Sequence, residues 1–286
     1  MKIIHSPREM TAWANRTRTA GEKIALVPTM GAFHEGHLRL MRMAAKQAGR
    51  VVVSLFVNPI QFGPGEDLDR YPRNLEQDAA MAEGEAVDIL FAPSPREMYP
   101  QGFQTTVTVA GLTDTLCGAS RPGHFDGVTT VVAKLFHIAK PDVTIFGQKD
   151  FQQLAVIRKM AADLNWDLDI IGHPIVREAD GLAMSSRNAY LAPAERQSAL
   201  SLNKGLTLAR QRVTAGETDA TRLIGEIKKL LLAQPGIAID YISVVHRHTL
   251  VAQKRIDTDS VLLIAALVGK TRLIDNTRLS DSTEEN

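Results

Sequence analysis

A short apolar run, Ile24-Ala-Leu-Val27, is followed by a Gly- and Pro-marked loop, an amphipathic stretch and a second, β-branched run, Val51-Val-Val-Ser-Leu-Phe-Val57. This order constrains the fold more than any other feature of the chain. Four to seven apolar residues bounded by turn signals read as buried strands. Between them, the spacing of Leu38, Met41, Ala45 and Ala48 places apolar side chains on one face of a helix that starts near His37 and ends at Gly49. Strand, loop, helix, strand is a βαβ unit, and its crossover demands parallel pairing.

The pattern repeats. Residues 74–83 read as a helix and Val87-Asp-Ile-Leu-Phe91 as a strand. Alternation over Thr105 to Val109 predicts another strand, 127–138 a helix, 142–146 a strand, 151–164 a helix and 168–171 a strand. Consecutive βα units build an open sheet with helices on both faces. After Ile175 the order changes: two long helical stretches, 193–214 and 220–233, precede strand-like runs at 239–245 and 261–265. The expected fold is therefore α/β: a Rossmann-like doubly wound parallel sheet over residues 1–175, with a smaller α+β domain over 176–286. The polar, acidic tail from Ser280 is expected to fray.

Composition removes several classes of function. A formal net charge of +1 leaves no global basic field to recruit nucleic acid or an anionic membrane. The single cysteine, Cys117, rules out an intramolecular disulfide and a multi-cysteine zinc site, and is expected as a small buried side chain. The first residues turn polar at once and lack an apolar signal region. The longest apolar run, 261–268, falls far short of the ~20 residues a membrane helix needs. These features point to a cytoplasmic protein.

Several segments carry candidate chemistry. Pro28-Thr-Met-Gly-Ala-Phe-His-Glu-Gly-His37 directly follows the first strand, on the sheet edge where open α/β folds bind ligands. Gly31 and Gly36 permit tight turns, and His34 and His37 sit at a helix N-terminus suited to triphosphate oxygens. The same His spacing is also compatible with a metal, though Glu35 is the one further ligand type nearby. Phe146-Gly-Gln-Lys-Asp-Phe-Gln-Gln-Leu154 opens a later helix. In it Lys149 offers a point charge for phosphate, Asp150 a cap or a ribose acceptor, and Gln153 a substrate contact one turn on. Met184-Ser-Ser-Arg-Asn188 is a candidate phosphate clamp. Asn58 and Gln61, in Phe56-Val-Asn-Pro-Ile-Gln-Phe62, suit a hydroxyl-bearing substrate. Arg121 and His124 are anion-binding candidates, and Asp78, with Glu76 nearby, is a candidate magnesium ligand. Each segment alone also reads as an ordinary turn, capped helix start or polar loop.

Taken together and in this order, the segments resemble the pantothenate synthetase (pantoate–β-alanine ligase) family. It belongs to the nucleotidyltransferases with a His-x-Gly-His motif, which also include class I aminoacyl-tRNA synthetases. The match runs over nearly the whole chain. The resemblance implies a C-terminal lid domain, a homodimer, and the Mg²⁺-dependent reaction of pantoate, β-alanine and ATP to pantothenate, AMP and pyrophosphate. By motif position, Met30, Gly31, Ala32, Phe33, His34, Glu35, Gly36 and His37 would line the ATP site, with His37 matching the catalytic acid. Gly147, Gln148, Lys149, Asp150, Val176, Met184, Ser185, Ser186 and Arg187 match further ATP-binding segments, and Gln148 stands where the family commonly has glutamate. Gln61 and Gln153 match residues that hold pantoate, and Gln61 also faces β-alanine. The catalytic set implied is His37, His34, Lys149 and Arg187.

Two other readings stay open at this level. An adenylyltransferase acting on a phosphorylated acceptor would share the fold and the histidine loop, but the Asn58–Gln61 segment is neutral where such an acceptor calls for basic residues. A non-catalytic nucleotide-binding regulator would bind without turnover. A transfer-RNA ligase is disfavoured, because no anticodon-binding module or strong basic face is evident.

Overall fold

The computed structural model describes residues 1–280, so the tail expected to fray lies, from residue 281, outside the described residues. The chain runs β1 (Lys2–Ile4), α1 (Pro7–Thr19), β2 (Ile24–Thr29), α2 (Glu35–Gln47), β3 (Arg50–Leu55), α3 (Leu75–Glu83) and β4 (Ile89–Phe91). Two one-turn helices, α4 (Pro95–Met98) and α5 (Cys117–Ser120), lead to α6 (His124–Ala139), β5 (Val143–Gly147), α7 (Phe151–Asp163) and β6 (Asp169–His173). Then come α8 (Pro193–Thr214), α9 (Ala220–Leu232), β7 (Ile237–His246), β8 (Ser260–Val268) and β9 (Thr271–Arg278).

The first six strands form one parallel sheet in the order β1-β4-β3-β2-β5-β6. Alternate residues of each strand feed opposite cores. Ile24 and Leu26 pack with α1, α6 and α7 through Met10, Val132 and Ile157. Ala25 and Val27 pack on the other face with Met41 and Ala44 of α2. Fully buried side chains such as Leu26, Ile145 and Ile157 contribute roughly 1.5–3 kcal/mol each over leaving them exposed. With helices on both faces, strand polarity disappears, which is why β2 and β3 read as unbroken apolar runs.

The strand order places a topological switch point between β2 and β5. From β2 the chain builds outward through β3 and β4, and on the other side through β5 and β6. Crossovers leaving the C-terminal ends of β2 and β5 diverge to opposite faces and open a crevice there. That crevice is where the histidine loop and the Gly147–Asp150 turn both emerge.

Residues 237–278 form a separate antiparallel sheet, β7-β8-β9, covered on one face by α8 and α9. Its other face rests on Phe151, Ala155, Leu112 and Leu116 of the first part of the chain. β8 is consequently buried along nearly its whole length.

One expected strand does not form, and three elements are added. Thr105–Val109 is not a strand: the Val107 N–H donates to Thr130 Oγ1 at 3.0 Å and its carbonyl accepts from Thr129 Oγ1, so α6 threonines replace a sheet partner. β1, α1 and β9 were not anticipated. β1 is three residues long, and α1 carries only a few buried side chains on a mostly polar surface. β9 buries Thr271, Leu273, Asp275 and Asn276, only one of them hydrophobic, so its apolar signal is weak. Cys117 is buried, as anticipated. Among the described residues no helix is long and apolar enough to cross a membrane.

Candidate active site

Two residues past β2 the backbone enters the left-handed region twice, at Gly31 (φ 84°) and Ala32 (φ 52°). This conformation aims successive N–H groups at one point, the geometry of an anion nest. The anion is internal: Asp78 of α3 accepts from Ala32 N–H at 2.9 Å and from Phe33 N–H at 2.7 Å. A Cβ on Gly31 would lie 2.9 Å from the same carboxylate, so glycine is required there. Asp78 is buried, accepts a backbone N–H on each oxygen and does not line the cavity. Among the described residues no three His, Cys, Asp or Glu side chains stand together to hold a metal ion.

The loop then caps α2 with its own histidines. His34 Nδ1 accepts from Gly36 N–H at 3.1 Å, and His37 Nδ1 accepts from His34 N–H at 3.3 Å. An accepting Nδ1 leaves the ring proton on Nε2 in both rings. A Cβ on Gly36 would come within 2.8 Å of His34 Cε1, so the glycine between the histidines permits the cap. Burial first, then the Lys149 charge, lowers the His34 pKa to about 4 against a smaller opposing effect of Glu178. Burial, then His34 and Lys149, lowers that of His37 to about 3. At neutral pH both rings are uncharged Nε2–H donors, with centroids 4.1 Å apart.

A cavity of about 230 Å³ opens beside them. Its wall includes Met30, His34, Gly36, His37, Gly147, Lys149, Asp150, Val176, Met184, Ser185, Ser186 and Arg187, all named from sequence as nucleotide contacts. Asn58, Gln61 and Gln153 line the same space. Val128, Val131, Val132 and Leu135 of α6 supply an apolar side. A smaller cavity of about 70 Å³ adjoins through Lys149, Asp150, Gln153, Ser185 and Arg187.

Each arm of the site has a structural anchor. Asn276 of β9 donates to the carbonyls of Gln148 and Lys149 at 3.0 and 2.9 Å, pinning the turn that presents Lys149. Met184 N–H donates to the Val176 carbonyl at 2.9 Å, so a small hairpin brings Val176 and Met184 together. Ser186 Oγ donates to the Ala32 carbonyl at 3.2 Å and joins this hairpin to the histidine loop. Asp150 occupies the N-cap position of α7, but its side chain makes no capping bond and lies 3.8 Å from Lys149 Nζ.

Several expected contacts are engaged elsewhere. Arg187 lines the cavity, yet it donates to Asp67 through Nε at 2.8 Å and an Nη at 2.9 Å. Burial opposes its charge, but the Asp67 pair more than compensates and holds its pKa above the ordinary value. Arg121 forms the matching two-bond pair with Glu66, at 2.7 and 2.6 Å. His124 donates from Nδ1 to the Gln61 carbonyl at 2.8 Å, which leaves Nε2 to accept from Arg121 at 3.0 Å. Both nitrogens of His124 thus have protein partners, and both residues line the smaller cavity only. Gln148 donates to Gly172 at 3.1 Å and turns toward β6. Gly31, Ala32, Phe33 and Glu35 stand behind the cavity wall, with Phe33 in the core and Glu35 paired to Arg39 and Arg42.

Sequence reading passed over Tyr71, Asp67, Tyr99, Asn276 and His173-Pro174-Ile175. The last three continue β6 at the same sheet edge and line the cavity, so the strand-edge rule could have found them. The others act through partners remote in sequence and carry no local signal.

With this geometry in view, comparison with known proteins gives one answer. The model of the family described as pantoate-beta-alanine ligase matches residues 2–278. A pantothenate synthetase from Heliobacterium modesticaldum is 56% identical over 276 residues, spanning 96% of this chain and 98% of the relative. The crystal structure of pantothenate synthetase from Thermus thermophilus superimposes with a TM-score of 0.94 at 43% identity, covering 98% of this chain and 100% of that one. A pantoate-beta-alanine ligase from Francisella tularensis, complexed with beta-gamma ATP and β-alanine, gives a TM-score of 0.80 at 32% identity over 99% of both chains. The chain belongs to the pantoate–β-alanine ligase family.

Proposed function

We propose that this protein is an ATP-dependent ligase that condenses pantoate with β-alanine through a pantoyl-adenylate. One observation carries the reading: His34, His37, Lys149, Ser186, Gln61 and Gln153, drawn from separate loops, line a single cavity at the switch point of the sheet.

The chemistry follows from what those groups can do. A pantoate carboxylate oxygen attacks the α-phosphorus of ATP, forming the acyl–phosphate bond as the bond to pyrophosphate breaks. The β-alanine amine then attacks the activated carbonyl, loses a proton and displaces AMP. Both reactants of the first step are anionic, and negative charge gathers on phosphoryl oxygens. His34 and His37 meet it with neutral Nε2–H donors, Lys149 with a full charge, and Ser185 and Ser186 with hydroxyls. Such preorganised donors cost no reorganisation at the moment of reaction. Arg187 joins them only after exchanging Asp67 for phosphate. Gln61 and Gln153 orient pantoate, and the α6 valines face its branched hydrocarbon. Orientation of this kind can lower a barrier by about 7 kcal/mol in favourable intramolecular cases.

The adenylate is prone to hydrolysis, so residues 176–286 act as a lid that carries the Ser185–Arg187 turn over the nucleotide. Magnesium is taken to arrive on the nucleotide phosphates, a mode that needs one or two carboxylates at most. A homodimer in the cytoplasm, with no nucleic-acid or membrane partner, completes the reading.

The deciding experiment withholds β-alanine and searches by mass spectrometry for pantoyl-adenylate, alongside pyrophosphate–ATP isotope exchange. Both signals are expected only with pantoate present. Exchange driven by a phosphorylated acceptor instead would replace the ligase with an adenylyltransferase, and nucleotide binding with neither signal would make the protein a regulator.

A further inference from the structure

We propose that Tyr99 is a positioning residue for the acid substrate: through Asn58 it fixes Gln61 as a hydrogen-bond donor toward the cavity, so the site requires an oxygen acceptor at that point. This deepens the pantoate reading above and rests on it.

The polarity of the chain of contacts follows from one group that has no choice. The Gly127 carbonyl can only accept, so the Asn58 atom 3.0 Å away is the donor Nδ2. The same Nδ2 lies 2.9 Å from Gln61, so the Gln61 atom facing it is the acceptor Oε1. Gln61 therefore presents its Nε2 to the cavity. One neighbour of Nε2 is Met30 Sδ at 3.2 Å, a weak acceptor, and the second N–H is left for a ligand. At the other end, Asn58 Oδ1 faces the Tyr99 hydroxyl at 2.8 Å, and that hydroxyl has to donate. Burial raises the Tyr99 pKa above the ordinary phenol value, so the donor proton stays in place at neutral pH.

The surroundings leave the chain little freedom. Asn58 and Gln61 are both buried. A Cβ on Gly127 would lie 2.5 Å from the Ile60 carbonyl oxygen and 2.6 Å from Gln61 Cα, so α6 approaches this turn as closely as only glycine allows. The Gln61 carbonyl is held by His124 at 2.8 Å. Turning the Asn58 amide over would set its oxygen against the Gly127 oxygen. Removing the Tyr99 hydroxyl leaves Asn58 Oδ1 without its donor in a dry site, and the Gln61 orientation loses its support. A substrate oxygen fits the exposed N–H, whereas an ammonium or another donor-only group would meet it head-on.

The test compares wild type with Tyr99→Phe, which keeps the ring packed against Phe56 and Phe103. Pyrophosphate–ATP exchange is measured against pantoate and against analogues each lacking one hydroxyl. The variant should raise the KM for pantoate by about three- to tenfold, the scale of one neutral hydrogen bond. The KM for ATP should not move, which a general loss of structure would not permit. The analogue that lacks the oxygen opposite Gln61 should bind both enzymes alike. An unchanged pantoate KM, a parallel rise in both KM values, or equal sensitivity of every analogue overturns the role of Tyr99 while leaving the ligase reading intact. Absence of pantoate-dependent exchange in the wild type removes the ligase reading, and this proposal with it.

Discussion

His34 and His37 are neutral because the backbone uses their Nδ1 atoms as caps while the fold buries the rings. That state has a thermodynamic signature. An unfolded histidine titrates near 6.5, whereas these fall to about 4 and about 3, so between those limits the unfolded chain binds more protons. Stability is then complete above pH 6.5 and is lost as pH falls toward 3, by up to about 1.4 kcal/mol per pH unit for each ring. Melting temperature measured from pH 7 to pH 4 should fall steeply in the wild type and less steeply in His37→Asn. Parallel curves would mean that the ring is not buried neutral. His37→Ala should also slow adenylate formation by about 10²-fold or more, the scale of losing one charge-stabilising donor. A near-wild-type rate in a single turnover would remove His37 from the chemistry.

At the scale of elements, α6 shows how a helix serves a site it does not begin. Its N-terminal turn carries Gly127, whose missing side chain lets the Asn58–Gln61 turn sit against the helix. Gly→Ala within a helix ordinarily gains about 1 kcal/mol. Here the new methyl would strike backbone atoms, and overpacking of that kind costs about 1–3 kcal/mol. Gly127→Ala is expected to lower the urea midpoint and to raise the pantoate KM more than the ATP KM. A stabilised variant with unchanged kinetics would show that the turn yields freely. The strand-like alternation at 105–109 teaches a related point: period-two hydrophobicity reports a half-buried extended chain, and here Thr129 and Thr130 bind its backbone in place of a neighbouring strand.

For the whole molecule, the main question is what opens. The C-terminal sheet rests on an apolar patch around Phe151 and Leu116, so the proposed lid motion is expected to be small and centred on the Ser185–Arg187 turn. The segment carrying Glu66 and Asp67 is a second candidate. It is tied to two cavity-lining arginines by the Glu66–Arg121 and Asp67–Arg187 pairs, with the Arg187 guanidinium 5.7 Å from the Tyr71 ring centroid. Under the proposed phosphate role of Arg187, Asp67 holds that cation, and nucleotide entry is expected to part this pair. Stopped-flow binding of ATP should reach a plateau rate at high nucleotide, the mark of an opening step that precedes binding. Asp67→Ala should raise the plateau by about tenfold, the scale of a charge-assisted bond. A rate that climbs linearly with ATP would show an already open site.

Sequence alone determined the βαβ grammar, the sheet edge on which ligands gather and the loops that meet there, because each rests on local periodicity and on Gly or Pro at fixed offsets. Ile24–Val27, the helix after His34 and the turn at Lys149 needed no distant partner to be legible. Tertiary structure alone decided which charges remain available. Asp78, Arg121 and His124 are ligand candidates by type, and the fold engages them with partners 46, 55 and 63 residues away in the chain. A side chain's chemistry is written in its type, but whether it faces substrate or backbone depends on which distant groups the folded sheet brings within 3 Å, and no local pattern records that.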